Sequence, residues 1–136
     1  MAQAKVNRNF ISSFTSGILC NTLVCLAVWM CFTARSITAK VLVILFPISA
    51  FVALVFEHCA ADMYLIPIGI IASFNPIIVE TAGINSSQLS QLNLAGFMKN
   101  LVPVTLGNIV GGVGFVALVY YFIYLKGSGE GIGDED

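Results

Sequence analysis

The sequence predicts an all-α integral membrane protein, and three observations predict it. The chain is 58% hydrophobic and only 10% charged, about half the charge of a typical soluble domain, so lipid is the expected solvent for most of its surface. Residues 9–34 and 101–125 are uncharged. As helix, each run is roughly 38 Å long, enough to cross a hydrocarbon core of about 30 Å with some tilt. Trp29, Tyr120, Tyr121 and Tyr124 lie toward the ends of these runs, where interfacial aromatic anchors belong.

The elements follow in order. The first ten residues carry Lys5 and Arg8 but no apolar stretch behind them, and no small-residue cleavage site precedes Gly17. No cleaved signal is therefore expected. In the first span the deepest polar residue is Asn21. Such an amide commonly makes an interhelical hydrogen bond; the functional alternative is a partner for the ring of His58. Arg35 and Lys40 bracket a short loop. Residues 41–56 are uncharged, Glu57, His58 and Asp62 interrupt, and residues 63–79 are uncharged again. Hydropathy leaves two readings open here: two short spans with the charges at the far surface, or one crossing broken in the middle. One straight helix over 41–73 would be about 50 Å long, too long for the core. Asp62 is a good N-cap type for a helix starting at Met63, and Pro67 one turn later removes a hydrogen bond from a continuous helix.

Asn75-Pro76 opens a polar connection over residues 80–91, and residues 92–100 are expected to form a short surface helix. In the last span Gly107 and Gly111 make a GxxxG pattern that permits close helix packing. No phosphate loop is present, because no Lys-Ser/Thr follows the glycines. Residues 127–136 are rich in glycine and acid and read as a disordered tail.

Several function classes are weak. Net charge is −1, and no basic-aromatic interleaving points to nucleic acid. Cys20, Cys25, Cys31 and Cys59 form no CxxC pair and sit in apolar runs, so they read as buried small hydrophobes and not as metal ligands. An enzyme would want a second histidine or a carboxylate constellation, and the chain has one histidine. No cofactor is implied. Arg35, Lys40 and Lys126 on one side balance Lys5, Arg8 and Lys99 on the other, so charge does not orient the chain.

The stretch FEHCAADM, residues 56–63, remains to be explained. An ionisable group at membrane depth costs about 2.5–3.5 kcal/mol on insertion scales and is a functional hypothesis by default. The alternative is that Glu57 and His58 sit at an interface and are wet. A half-helix beginning at the midplane would aim unsatisfied N–H groups and a positive dipole end into the membrane, which suits a small anion.

GILCNTLVCLAVWM (residues 17–30), FEHCAADMYLIPIGI (56–70) and NLVPVTLGNIVGG (100–112), in this order, resemble the C-terminal half of the formate/nitrite transporter family, closest to its formate and hydrosulfide branches. The resemblance implies three transmembrane helices at about 9–34, 38–74 (broken near 57–62) and 101–126. They would equal half of an aquaporin-like six-helix inverted-repeat protomer. It implies a pentamer with one pore per protomer in the inner (plasma) membrane, with Arg35, Lys40 and the C-terminus cytoplasmic and Lys5 and Glu80 outside. It further implies His58 as the central pore histidine and Asn21 as the asparagine hydrogen-bonding near it. Glu57 would be its acidic neighbour, Phe51 and Val24 the hydrophobic gates, Asn108 a polar position of the last helix and Lys5 a basic residue at the outer vestibule.

The expected activity is transmembrane passage of small monovalent anions, formate first and then hydrosulfide or nitrite. Apolar gates penalise a bare anion, so one route protonates the substrate at His58; direct passage, with donors from His58 and Asn21, is the other. The alternative function is a non-conducting structural subunit, or a fragment needing its missing half. The family pattern EHSxANM is altered here at Cys59 and Asp62, and Asp62 places a carboxylate where an anion path would not welcome one unless it is protonated or paired away from the pore. The chain has half the family's length, so the missing N-terminal half is expected to complete each pore wall.

Overall fold

A computed structural model describes residues 1–126, apart from the side chains of Ser86 and Gln88. Among the described residues every regular element is helical: α1 (Ala2–Val6), α2 (Phe10–Thr33), α3 (Ile37–Ala53), α4 (Cys59–Ala72), α5 (Pro76–Thr81), α6 (Ser86–Leu89) and α7 (Leu94–Leu125). The acidic tail expected at 127–136 lies outside the described residues.

Polar side chains start the helices where the sequence places them. Asn9 accepts from Ser12 N at 2.8 Å, Ser36 from Ala39 N at 3.1 Å, Asn75 from Ile77 N at 3.0 Å and Asn93 from Gly96 N at 2.9 Å. Each fills one of the orphan donors of a first turn. Only α2 and α7 are long and apolar enough to cross a membrane alone. With 17 and 14 residues, α3 and α4 reach about 26 Å and 21 Å, short of a full core.

The packing centre is the α2–α7 pair. The buried residues of α2 are Ser13, Ser16, Gly17, Cys20 and Ala27, a stripe of small side chains at helical spacing. Gly107 and Gly111 of α7 face it. A Cβ at Gly107 would strike the Phe14 carbonyl, and one at Gly111 the Ile18 carbonyl, so only glycine lets the backbones approach this closely. From Val110 to Ala117 α7 winds as a π-helix, opposite Asn21 and Cys25, which a Cβ on Gly112 would meet. A second small core joins Val6 of α1, Ile66 of α4 and Leu92. The outer faces are apolar; Phe32, Phe46 and Phe74 stand exposed, as lipid-facing side chains do.

The interruption expected near 57–62 falls at residues 54–58, between α3 and α4. α3 ends in a Schellman motif: Phe56 N donates to Phe51 O at 3.0 Å and Val55 N to Val52 O at 3.1 Å. That motif needs a left-handed residue, and Val55 supplies it with φ 51°. For a β-branched residue this is a strained conformation, costing about 1–2 kcal/mol. α4 then starts at Cys59, four residues before Met63, and Pro67 is accommodated inside it.

The Val55 side chain is exposed, so little packing opposes its removal. Val55→Gly should relieve the strain while adding about 0.5–1 kcal/mol of unfolded-state entropy, for a net gain of up to about 1 kcal/mol. A thermal midpoint in detergent that falls instead of rising would show that the side chain holds the break together.

Candidate functional site

The candidate site is built around the break. The backbone polar groups of residues 54–58 lie outside a helix, and in lipid such groups must be satisfied by protein. Backbone carbonyls of α3 take the amides of residues 54–56, and Asn108 of α7 and Ser16 of α2 serve the segment where α4 begins. Asn108 Nδ2 donates to Glu57 O at 3.1 Å and to Gly17 O at 2.9 Å, and its Oδ1 accepts from Cys59 N at 3.0 Å. Glu57 N donates to Ser16 Oγ at 3.0 Å. The first amide of α4 is thus capped from α7, and no side chain of its own segment caps it.

This corrects the expectation for Asp62. His58 occupies the N-cap position, and Asp62 lies within the first turn of α4. Its carboxylate is drawn away from capping by Lys5, whose Nζ stands 2.9 Å from Asp62 Oδ1 and 2.7 Å from Glu57 Oε2. Both carboxylates are fully buried. Arg8 Nη1 lies 3.4 Å from Glu57 Oε1, and its Nη2 donates to Val55 O at 3.4 Å. Asn100 Nδ2 holds the Lys5 carbonyl at 3.1 Å.

Lys5 is accordingly not an exposed basic group at a mouth; only 6% of it is exposed. Burial by itself lowers the pKa of its ammonium, but hydrogen bonds and charge from Glu57 and Asp62 outweigh this and raise it above the ordinary lysine value. Lys5 therefore stays charged at neutral pH, as a partner and not as a free cation.

On the other side of the break lies an open hollow of about 300 Å³ lined by Asn21, His58, Cys59, Thr105, Asn108 and Gly112, among others. His58 and Asn21 share it, but Asn21 Nδ2 donates to Asn108 O at 2.6 Å and the described hydrogen bonds include none between Asn21 and His58. Phe51 stands next to His58, with ring centroids 6.3 Å apart. Val24 is half-buried on α2, one turn beyond Asn21. Among the described residues no group of three His, Cys, Asp or Glu side chains could hold a metal ion.

Sequence reasoning missed Arg8, Ser16, Asn100 and Thr105 as parts of this region. Ser16 carried a signal, since Ser13, Ser16, Gly17 and Cys20 form a small-residue stripe in an otherwise bulky span. Arg8 lies one turn from Lys5, but nothing local says that both turn inward.

A family model described as formate/nitrite transporter matches residues 1–122. The chain is 45% identical over 114 residues to the formate channel FocA of Haemophilus influenzae, across 82% of this chain and 40% of that protein. It is 41% identical over 128 residues to FocA of Escherichia coli, across 92% and 45%. To a probable formate transporter of Methanothermobacter thermautotrophicus it is 43% identical over 128 residues, across 93% and 41%. In structure it is similar to a pentameric formate channel with formate bound, with TM-score 0.80 and 46% identity over 91% of this chain and 50% of that one. It is also similar to an FNT family ion channel, with TM-score 0.69 and 37% identity over 89% and 43%. The chain spans about half the length of the relatives it matches.

Asn108→Ala should be among the most damaging single changes. It strands Cys59 N and the Glu57 carbonyl, which have no helical partner, and each unsatisfied buried group costs about 1–3 kcal/mol. We expect a loss of at least about 2 kcal/mol in an unfolding titration in mild detergent. Stability unchanged to within 0.5 kcal/mol, on the order of a surface substitution, would mean that other groups satisfy the break.

Proposed function

The chain belongs to the formate/nitrite transporter family, and from that premise we propose that it forms half of a pore wall for small monovalent anions, formate foremost, then hydrosulfide or nitrite. The supporting observation is the hollow at the break, a mostly apolar surface on whose lining the polar side chains of Asn21, His58 and Thr105 converge with Cys59. In this reading α2, the α3–α4 pair and α7 make three crossings, with the break at mid-depth. A complementary half, absent from these 136 residues, faces the hollow and closes the pore. Each closed protomer joins a pentamer in the plasma membrane, with the C-terminus cytoplasmic.

The residues divide the work. Phe51, beside the His58 ring, and Val24 form apolar constrictions that exclude hydrated ions. His58 and Asn21 offer polar atoms between them, and Asn108 keeps the break in shape. A bare anion pays a desolvation penalty at the gates. Protonation at His58 removes that penalty by passing the substrate as its neutral acid, after which the proton returns from the side to which the acid is released. Glu57, ion-paired to Lys5 and Arg8, positions His58 and Cys59 through the backbone and does not meet the substrate. The role is transport; no bond in the substrate other than to its proton changes.

Formate flux into proteoliposomes carrying the complete pore tests this. Wild-type protein should conduct formate, and His58→Phe should flatten the pH profile of the flux. An unaltered profile would remove the protonation role, and absence of formate flux in the wild type would remove the transport reading itself.

A further inference from the structure

Four ionisable groups meet behind the break: Lys5 and Arg8 on one side of the balance, Glu57 and Asp62 on the other. Their formal charges cancel. The elements packed around them add none, because α2 is uncharged from Phe10 to Thr33 and the residues that α7 buries there, Asn100 and Asn108, are amides. Lys99 points to the exterior.

The second carboxylate is not needed to hold Lys5 in place. Glu57 already accepts from Lys5 Nζ at 2.7 Å. Asp62 is 0% exposed; its Oδ1 lies 2.9 Å from Lys5 Nζ, and its Oδ2, like Glu57 Oε1, meets no hydrogen-bond donor. Burying a carboxylate with an oxygen left bare is unfavourable, so packing and pairing alone do not account for it. As the ion-pair partner of Lys5 at 2.9 Å, Asp62 brings a second carboxylate to the cluster, one helical turn from His58 and Cys59, which lie on the wall of the hollow.

We propose that Asp62 is a specificity-setting residue: by cancelling the surplus cation of the Lys5–Arg8 pair, it keeps the hollow around His58 electrically neutral and so limits its attraction for anions. Without Asp62 the cluster carries one net positive charge. In surroundings of low dielectric and little salt screening, that charge is felt across the hollow. A neutral hollow favours a weakly held anion, or the neutral acid, over tight anion capture. The consequence for transport rests on the anion-carrier reading above; the charge balance does not.

Cys59 provides a probe independent of transport, since it lines the hollow. The full chain is reconstituted in liposomes with Cys20→Ala, Cys25→Ala and Cys31→Ala. The rate of Cys59 modification by an anionic methanethiosulfonate is divided by that of a neutral one of similar size. Asp62→Asn should raise this ratio about tenfold, as one unit charge at about 10 Å implies, and adding Lys5→Met should bring it back. A ratio that Asp62→Asn leaves unchanged, or that Lys5→Met does not bring back, overturns the proposal. Should Asp62→Asn fail to fold, Arg8→Gln, which removes a partly exposed cation, must lower the ratio severalfold, and no change there overturns the proposal equally. In flux assays Asp62→Asn should lower the apparent KM for formate while maximal flux is retained, an outcome that a merely structural role would not give. A wild-type protein without formate flux, but with the expected shift in ratio, would sink the transport reading and leave the charge assignment standing.

Discussion

One side chain carries the geometry of the break. A helix interrupted within apolar surroundings exposes amides and carbonyls that lipid cannot satisfy, and Asn108 satisfies two such groups, Cys59 N and Glu57 O, while also donating to the Gly17 carbonyl of α2. It does so from α7, so the start of α4 depends on where α7 lies against α2. That placement depends in turn on Gly107 and Gly111, which let the two backbones touch. Glycine contact, amide bridge and helix start form one chain of dependence, and the hollow around His58 lies at its end.

The buried charges belong to the same construction. α1 brings Lys5 in behind the break, where Glu57 and Asp62 already lie buried. A buried charge must be paired or it is strongly destabilising, so the N-terminal residues act as a structural part of the site although they precede the first span. The same pairing separates two roles within one stretch of sequence. Glu57 and Asp62 turn toward the cluster, while His58 and Cys59 line the hollow. The ion-paired cluster thus lies behind the wall of the hollow and contributes none of its lining side chains.

Much of this was legible in the chain. The two long apolar runs follow from uncharged length alone, but the helix that carries the second starts at Leu94 and absorbs most of the stretch 92–100 that was expected to form a separate surface helix. The need for an interruption followed from Glu57, His58 and Asp62 within a segment too long to cross straight. Asn9, Ser36, Asn75 and Asn93 are cap types in cap positions. The family was recognisable because three separated motifs occur in order. What sequence misjudged was the detail of the break. Asp62 has the right chemistry for a cap, but a lysine 57 positions earlier outcompetes the local amides for its carboxylate. For Asn21 the sequence left an interhelical hydrogen bond and a partnership with His58 open, and the structure has the first, to a carbonyl of α7.

The sequence by itself determined that the protein is helical, apolar on its outside and interrupted near a lone histidine. Those properties depend on composition and on spacing along the chain, which burial in lipid turns directly into helices. Only the tertiary structure decided which polar group satisfies which. Hydrogen bonds and ion pairs of short range depend on distances between segments far apart in the chain, and no local pattern encodes the meeting of residue 5 with residue 62, or of residue 59 with residue 108.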